Sequence, residues 1–375
     1  MAENYNDIGK IDKNMAFLPA NGDGIAWHLP YEKPMKLLGF PWFDKYHLYH
    51  RLPEEWPDEV TQFPNGQKKT IPYKQCGAFT LSPHTAGGQV RFRTDSGSFQ
   101  LKGTLRATGG MDHMAFTGSA GFDLYLKCDG VWKCFGVTRT DHSVLDFSAE
   151  IVNGVRREMR DVIIDFPLYN GVNSLAIGLD EDAAIEEPTP FSGGATIVWY
   201  GTSIQQGGCA SRPGMAASNI VSRLLDRQVI NLGFSGNGKG EPEIAQMMAS
   251  IPDVGMYIID YTWNVDNEWL KATLPSLLDI IREKRPDVPI LLMGPTPGRH
   301  NFQELDNDWL RKQNLTMRDE AIRRIKAGDA RISYFDALEN SLGDDFWECA
   351  VDGVHLTDMG FYRLSQALCK FLNGN

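Results

Sequence analysis

The sequence reads as an all-β sandwich or jelly roll followed by an α/β unit on a doubly wound parallel sheet. Three features point there. Between residues 25 and 185, short runs alternate polar and apolar side chains, with turn residues between them. After a Pro/Gly-rich stretch, five near-continuous apolar runs alternate with helical patterns to the end of the chain. The 375 residues suffice for two domains. We expect a β-sandwich over 1–187, a linker over 188–194 and an α/β domain over 195–375.

The sandwich strands follow in order. Gln89–Arg93 and Ser98–Lys102 alternate around a Thr94–Gly97 turn. Phe122–Leu126 and Val131–Phe135 flank Asp129-Gly130, a two-residue hairpin signal. Val162–Phe166 and Ser174–Leu179 flank Tyr169-Asn170-Gly171. Strands at this spacing indicate a sandwich. Glu186 to Gly194 carries two prolines and two glycines and reads as a linker. Strands are then expected at Thr196–Tyr200, Gln228–Leu232, Met256–Asp260, Pro289–Met293 and Arg331–Phe335. Helices are expected at Met215–Asp226, Glu241–Ser250, Glu268–Lys284, Asn307–Lys326 and Asp358–Leu372.

Composition narrows the function classes. Hydrophobic residues make up 42% and charged residues 23%, which is globular. The net charge of −11 argues against a nucleic-acid partner. No apolar run approaches the roughly 18–20 residues that span a bilayer. Met1 to Asp7 has neither a basic nor an apolar region, so no signal peptide is read and a cytoplasmic location is expected. The six cysteines form no C-x-x-C pair, which suggests free thiols. A Cys128–Cys134 bridge across the hairpin stays open.

Open parallel sheets bind ligands at the carboxyl ends of their strands. Four polar or Gly-rich clusters fall there: Gly201-Thr202-Ser203, Gly233 to Gly238, Tyr261 to Asn264, and Asp352-Gly353-Val354-His355. Each suits one part of a serine hydrolase. Ser203 stands at a tight strand–helix turn, exposed for attack. His355 can take its proton, and Asp352 can hold the imidazole tautomer. The Ser203 and Gly236 N–H groups and the Asn264 amide are candidate oxyanion donors. Trp263 could stack on a sugar or acyl group, or belong to the core. Arg212 could reach a substrate, or fix its own loop by a salt bridge. Asp112-His113 beside Gly109-Gly110 could line a cleft.

On these residues the C-terminal half resembles the SGNH (GDSL-type) hydrolases, whose four blocks are matched by Ser203, Gly236, Asn264 and Asp352/His355. The usual Gly-Asp-Ser is Gly-Thr-Ser here, and Trp263 and Val265 flank Asn264. Gly121-Phe122-Asp123-Leu124-Tyr125 looks like the signature of the N-terminal sandwich of a subfamily of these enzymes. Pro41-Trp42-Phe43, Tyr49-His50-Arg51-Leu52-Pro53 and Arg91 to Ser96 also look like that subfamily's first domain. The resemblance implies a flavodoxin-like SGNH sheet and a serine esterase acting on small acyl esters, O-acetylated carbohydrates first. No metal or organic cofactor is expected. An acyltransferase at the same site, or a catalytically weak carbohydrate-binding protein, would be the alternatives. A homo-oligomer is compatible with the sequence. Because His355 must be neutral to act as base, activity should rise with pH through the ordinary imidazole range near 6.5. The sandwich is expected to pack over the carboxyl edge of the α/β sheet. Arg91, Arg93 and Asp95, which share a strand face, are candidates to line the pocket.

Overall fold

Period-two burial builds the sandwich. The strands of the N-terminal part are β1 (Ile25–His28), β2 (Lys36–Leu38), β3 (Glu59–Gln62), β4 (Lys69–Pro72), β5 (Gln89–Thr94), β6 (Phe99–Leu105), β7 (Asp123–Cys128), β8 (Val131–Val137), β9 (Asp146–Val152), β10 (Arg160–Asp165), β11 (Val172–Asp180) and β12 (Ile185–Glu186). One sheet has the order β1-β11-β6-β9, and the other β12-β5-β10-β7-β8 with β2 also on β5. Alternate residues face inward: Val90 and Phe92 of β5, Leu124 and Leu126 of β7, Ile177 and Leu179 of β11. The computed structural model describes Asp12, Ala16 and residues 18–56, 58–64, 67–301 and 308–374. Met1 to Asp7 and Asn307, on which two of the expectations above rest, lie outside the described residues.

The β7–β8 turn has Asp129 at φ 53° and Gly130 at φ 77°, the positive pair that a two-residue hairpin requires. The open alternative at this hairpin is resolved: Cys128 and Cys134 are both free. Cys128 pairs with Val131 and Cys134 with Tyr125, so the two are not cross-strand neighbours.

The parallel sheet is formed by β13 (Thr196–Gly201), β14 (Val229–Gly233), β15 (Val254–Asp260), β16 (Ile290–Met293) and β17 (Ile332–Phe335). Its order is β14-β13-β15-β16-β17, the doubly wound arrangement expected. Each strand serves two cores. Val198, Tyr200, Ile230, Leu232, Tyr257 and Ile259 face one side, with the helices Pro242–Ser250, Asn267–Lys284 and Trp309–Lys326. Ile197, Trp199, Val229, Ile258 and Leu291 face the other, with the helices Ala217–Leu225 and Asp358–Leu372. The order of strand addition reverses at β13, with β14 on one side and β15 on the other, so the crevice beside its carboxyl end is the topological switch point.

Not all of the N-terminal part belongs to the sandwich. Leu52, Val60, Tyr73, Cys76 and Ala78 are buried in the same cluster as β14 and β15. The β3–β4 hairpin lies against the helix Pro242–Ser250, where Glu243 accepts from the Thr61 N–H and hydroxyl, both at 2.9 Å.

Candidate active site

Strand β13 ends in a turn built to hold Ser203. Thr202 Oγ1 accepts from the Ile204 N–H at 3.2 Å, and Gln205 Oε1 accepts from the Thr202 N–H at 2.8 Å, a capping box around the short helix Ser203–Gln206. Gln205 Nε2 in turn donates to Asp260 Oδ2 at 2.7 Å, at the end of the neighbouring β15. Asp260 is fully buried, and burial pushes its carboxyl up to about 7 against hydrogen bonds from Thr262 and Gln205. Gly201 is required because a Cβ there would run into the Asp260 carbonyl and the Gln205 side chain.

The turn after Cys349 brings the other two groups. His355 Nε2 lies 2.9 Å from Ser203 Oγ, and His355 Nδ1 lies 2.7 Å from Asp352 Oδ2. Asp352 Oδ1 accepts from the N–H groups of Val354 and His355 at 2.9 and 2.8 Å. Burial acts to raise the Asp352 carboxyl, but hydrogen bonds from the His355 ring and these two backbone donors outweigh it and hold it at about 2. An ionised Asp352 accepts only, so Nδ1 carries the imidazole proton and the Nε2 lone pair faces Ser203. Gly353, at φ 81°, makes the tight turn, and its carbonyl is held by the Arg299 N–H at 2.7 Å.

Gly236 lies at φ 67° with open space beside its Cα, so backbone conformation selects glycine there, not crowding. The N–H groups of Ser203 and Gly236 have no acceptor among the described residues. Asn264 differs from its expected role as a third open donor. Its Nδ2 lies 3.0 Å from each of the carbonyls of Phe234 and Gly238, so the amide clasps the loop that carries Gly236.

Arg212 and Trp263, for each of which a substrate contact and a structural role stood open, both make contacts within the protein. Arg212 is held by a salt bridge: its Nη1 lies 2.7 Å from Asp123 Oδ2 and 2.5 Å from Tyr125 Oη. Asp123 is fully buried and also accepts the Gly214 N–H at 2.9 Å. The Gly-Phe-Asp-Leu-Tyr segment therefore grips the loop after Ser203. Arg223 adds its guanidinium 4.0 Å from the Tyr125 ring centre. Trp263 packs into the core face shared with Ile258 and Phe361. Its Nε1 lies 3.3 Å from Thr296 Oγ1, and its ring meets His300 and Trp309. Its indole edge also borders Gly298, beside the Gly353 carbonyl, so Trp263 supports the Asp352–His355 turn.

The sandwich forms a wall of the site, though not through the residues expected. Tyr169 Oη donates to the Ser203 carbonyl at 3.1 Å, and Thr117 Oγ1 to the Ser211 carbonyl at 2.6 Å. Gln206 Nε2 meets His84 Nδ1 and the Leu168 carbonyl, each at 3.1 Å. The fully buried Arg51 donates to the carbonyls of His84, Leu81 and Gly233 and stacks on Phe234. Arg91 instead stacks on Phe191, Arg93 pairs with Glu186, and Asp95 accepts the Ala184 N–H. These three hold the connecting segment and do not line the pocket. Asp260, Tyr169 and Arg51 had no assigned role in the sequence. Arg51 lies inside the Tyr49–Pro53 motif, whereas Tyr169 reads in the sequence only as part of a turn and Asp260 only as the end of a strand.

Residues 195–373 match the GDSL-like Lipase/Acylhydrolase family. Residues 25–185 match the GxDLY family, described as the N-terminus of Esterase_SGNH_hydro-type. No curated protein matches the chain. Among solved structures, a protein of Bacteroides ovatus ATCC 8483 described as a GDSL-like lipase is 28% identical, with TM-score 0.79 over 93% of this chain and 98% of its own. The salicylyl-acyltransferase SsfX3 from a tetracycline biosynthetic pathway is 15% identical, with TM-score 0.69 over 94% and 98%. A family two carbohydrate esterase from Cellvibrio japonicus is 11% identical, with TM-score 0.56 over 93% and 97%. The last two share the fold.

Proposed function

We propose that this chain, a member of the GDSL-like lipase/acylhydrolase (SGNH) family with a GxDLY N-terminal domain, is a serine esterase that removes small acyl groups, acetyl from carbohydrates foremost. The observation that carries the reading is the unbroken line from Ser203 Oγ through the His355 ring to Asp352. In this mechanism Ser203 Oγ attacks the ester carbonyl while His355 Nε2 takes its proton. Asp352, ionised, stabilises the resulting imidazolium. The tetrahedral oxyanion meets the two unpaired N–H groups of Ser203 and Gly236, in a turn fixed before substrate arrives. His355 returns the proton to the leaving alkoxide. Water then attacks the acyl-enzyme, with His355 again as base.

Support for a small acyl group comes from the wall over the site. Ser203 is 7% exposed, and its turn is overlaid by Tyr169, Leu168 and His84. The carbohydrate reading draws on the likeness of layout to family two carbohydrate esterases. The test is turnover of 4-nitrophenyl esters of graded chain length, then acetate release from acetylated sugars. Acetate should be preferred over longer acyl groups, and Ser203→Ala should lower kcat by roughly 10⁴ or more with an unchanged unfolding midpoint. Preference for long acyl chains would overturn the small-acyl reading, and a Ser203→Ala variant with near-normal turnover would overturn the mechanism.

A further inference from the structure

One sandwich side chain stands beside the triad and has no part in the chemistry above. The exposed His113 ring lies edge-on to His355, with ring centres 5.6 Å apart. One nitrogen of His113, one carboxylate oxygen of Asp352 and one ring nitrogen of His355 all lie within 4.8 Å of one another. Two of the three are already fixed, Asp352 by the backbone donors of its own turn and His355 by Asp352 and Ser203. The third sits on a short tether. Met111 and Met114 form a β-bridge on either side of Asp112-His113, and both pack against the α/β core.

We propose that His113, Asp352 and His355 form a binding site for a borderline-soft divalent cation of the zinc class, and that its occupancy switches the triad off. Two imidazoles and a carboxylate are a three-residue zinc set that leaves a fourth position for water. Donors around a tetrahedral ion with bonds of about 2.0–2.2 Å stand roughly 3.4 Å apart. To reach that spacing the exposed His113 ring turns inward and the Asp352–His355 contact opens from 2.7 Å as the cation takes the place of its proton. The cation then blocks the base through the ring nitrogen that faces Asp352. At Nδ1 it displaces the proton to Nε2, the tautomer that can only donate to Ser203. No proton leaves the protein. His113 and the sandwich that carries it would thus make the enzyme sensitive to free zinc.

The inference rests on the esterase reading for its activity arm alone. In that arm, ZnCl₂ is titrated against 4-nitrophenyl acetate turnover by the full chain, His113→Ala and His113→Phe, each normalised to its own rate in chelator. Wild type should be inhibited and recover on chelation, Mg²⁺ should not substitute, and both variants should need at least about tenfold more zinc for half-inhibition. In the second arm, ZnCl₂ is titrated calorimetrically into full-length Ser203→Ala with and without His113→Phe. The same weakening of at least about tenfold is expected. No zinc-dependent inhibition of a turning-over enzyme, or equal zinc sensitivity with and without His113, would overturn the proposal. If no ester is turned over, the esterase reading fails, and equal zinc binding in the two calorimetric titrations would overturn the zinc site by itself.

Discussion

Asp352 has one oxygen on its own backbone and the other on His355, and this division decides what a conservative substitution does. In Asp352→Asn the carbonyl oxygen takes over the two N–H groups of Val354 and His355. The amide nitrogen must then face His355 Nδ1, a donor against a donor, which drives the ring proton to Nε2. We expect kcat on 4-nitrophenyl acetate to fall by roughly 10²–10⁴ with little change in KM. A fall confined to KM would assign Asp352 to binding.

Asp260 makes a second prediction at this scale. Its carboxyl is raised to about 7 by burial, from an ordinary 3.8. A folded value above the unfolded one means the native state holds the proton more tightly. The stabilisation is full below the unfolded value and is lost as pH rises through the folded one, here between about 4 and 7. Asp260→Asn removes that loss while keeping a side chain of the same shape. Its unfolding midpoint relative to wild type should therefore become more favourable between pH 5 and pH 8. A constant difference across that range would show that Asp260 does not titrate there.

Among the elements, the loop after Ser203 depends on the sandwich strand β7. Asp123 and Tyr125 point to one side of that strand, and Arg212 and the Gly214 N–H meet them from the loop. Removing Arg212 would leave the buried Asp123 carboxylate without its ion-pair partner. Arg212→Ala should cost about 3 kcal/mol in denaturant unfolding, near the lower end for a broken buried pair because the arginine is partly exposed. KM should move far less than stability. A large rise in KM at unchanged stability would restore Arg212 as a substrate contact.

For the whole molecule, the two parts share cores and carbonyls. Arg51 reaches from the N-terminal part to the end of β14 and stacks on Phe234, two residues before Gly236. Leu52, Val60 and Tyr73 fill the face of the parallel sheet. Residues 193–375 expressed alone would expose that apolar surface and lose the Arg51 donors. We expect this fragment to aggregate, or to retain less than about one-hundredth of full-length esterase activity, in keeping with lost oxyanion positioning. A soluble fragment with full activity would make the N-terminal part an independent module.

The periods of the apolar residues determined the elements, because side-chain alternation and helical spacing are local properties that one stretch of chain carries alone. All five parallel strands and the Asp129-Gly130 hairpin were legible for that reason, as were Ser203, Gly236 and the Asp352/His355 pair, which sit in short motifs at strand ends. Tertiary structure decided the partners. Arg212 could be read equally as a substrate contact or a salt bridge until Asp123, 89 residues away, met it. Trp263 could stack on a ligand or fill a core, and in the fold its half-buried ring packs against His300 and Trp309. Asn264 turned to two carbonyls that only the folded loop presents. Arg51, Tyr169 and His113 acquired their positions from the docking of the sandwich on the parallel sheet. That docking pairs residues far apart in the chain through a burial surface, which no local pattern encodes.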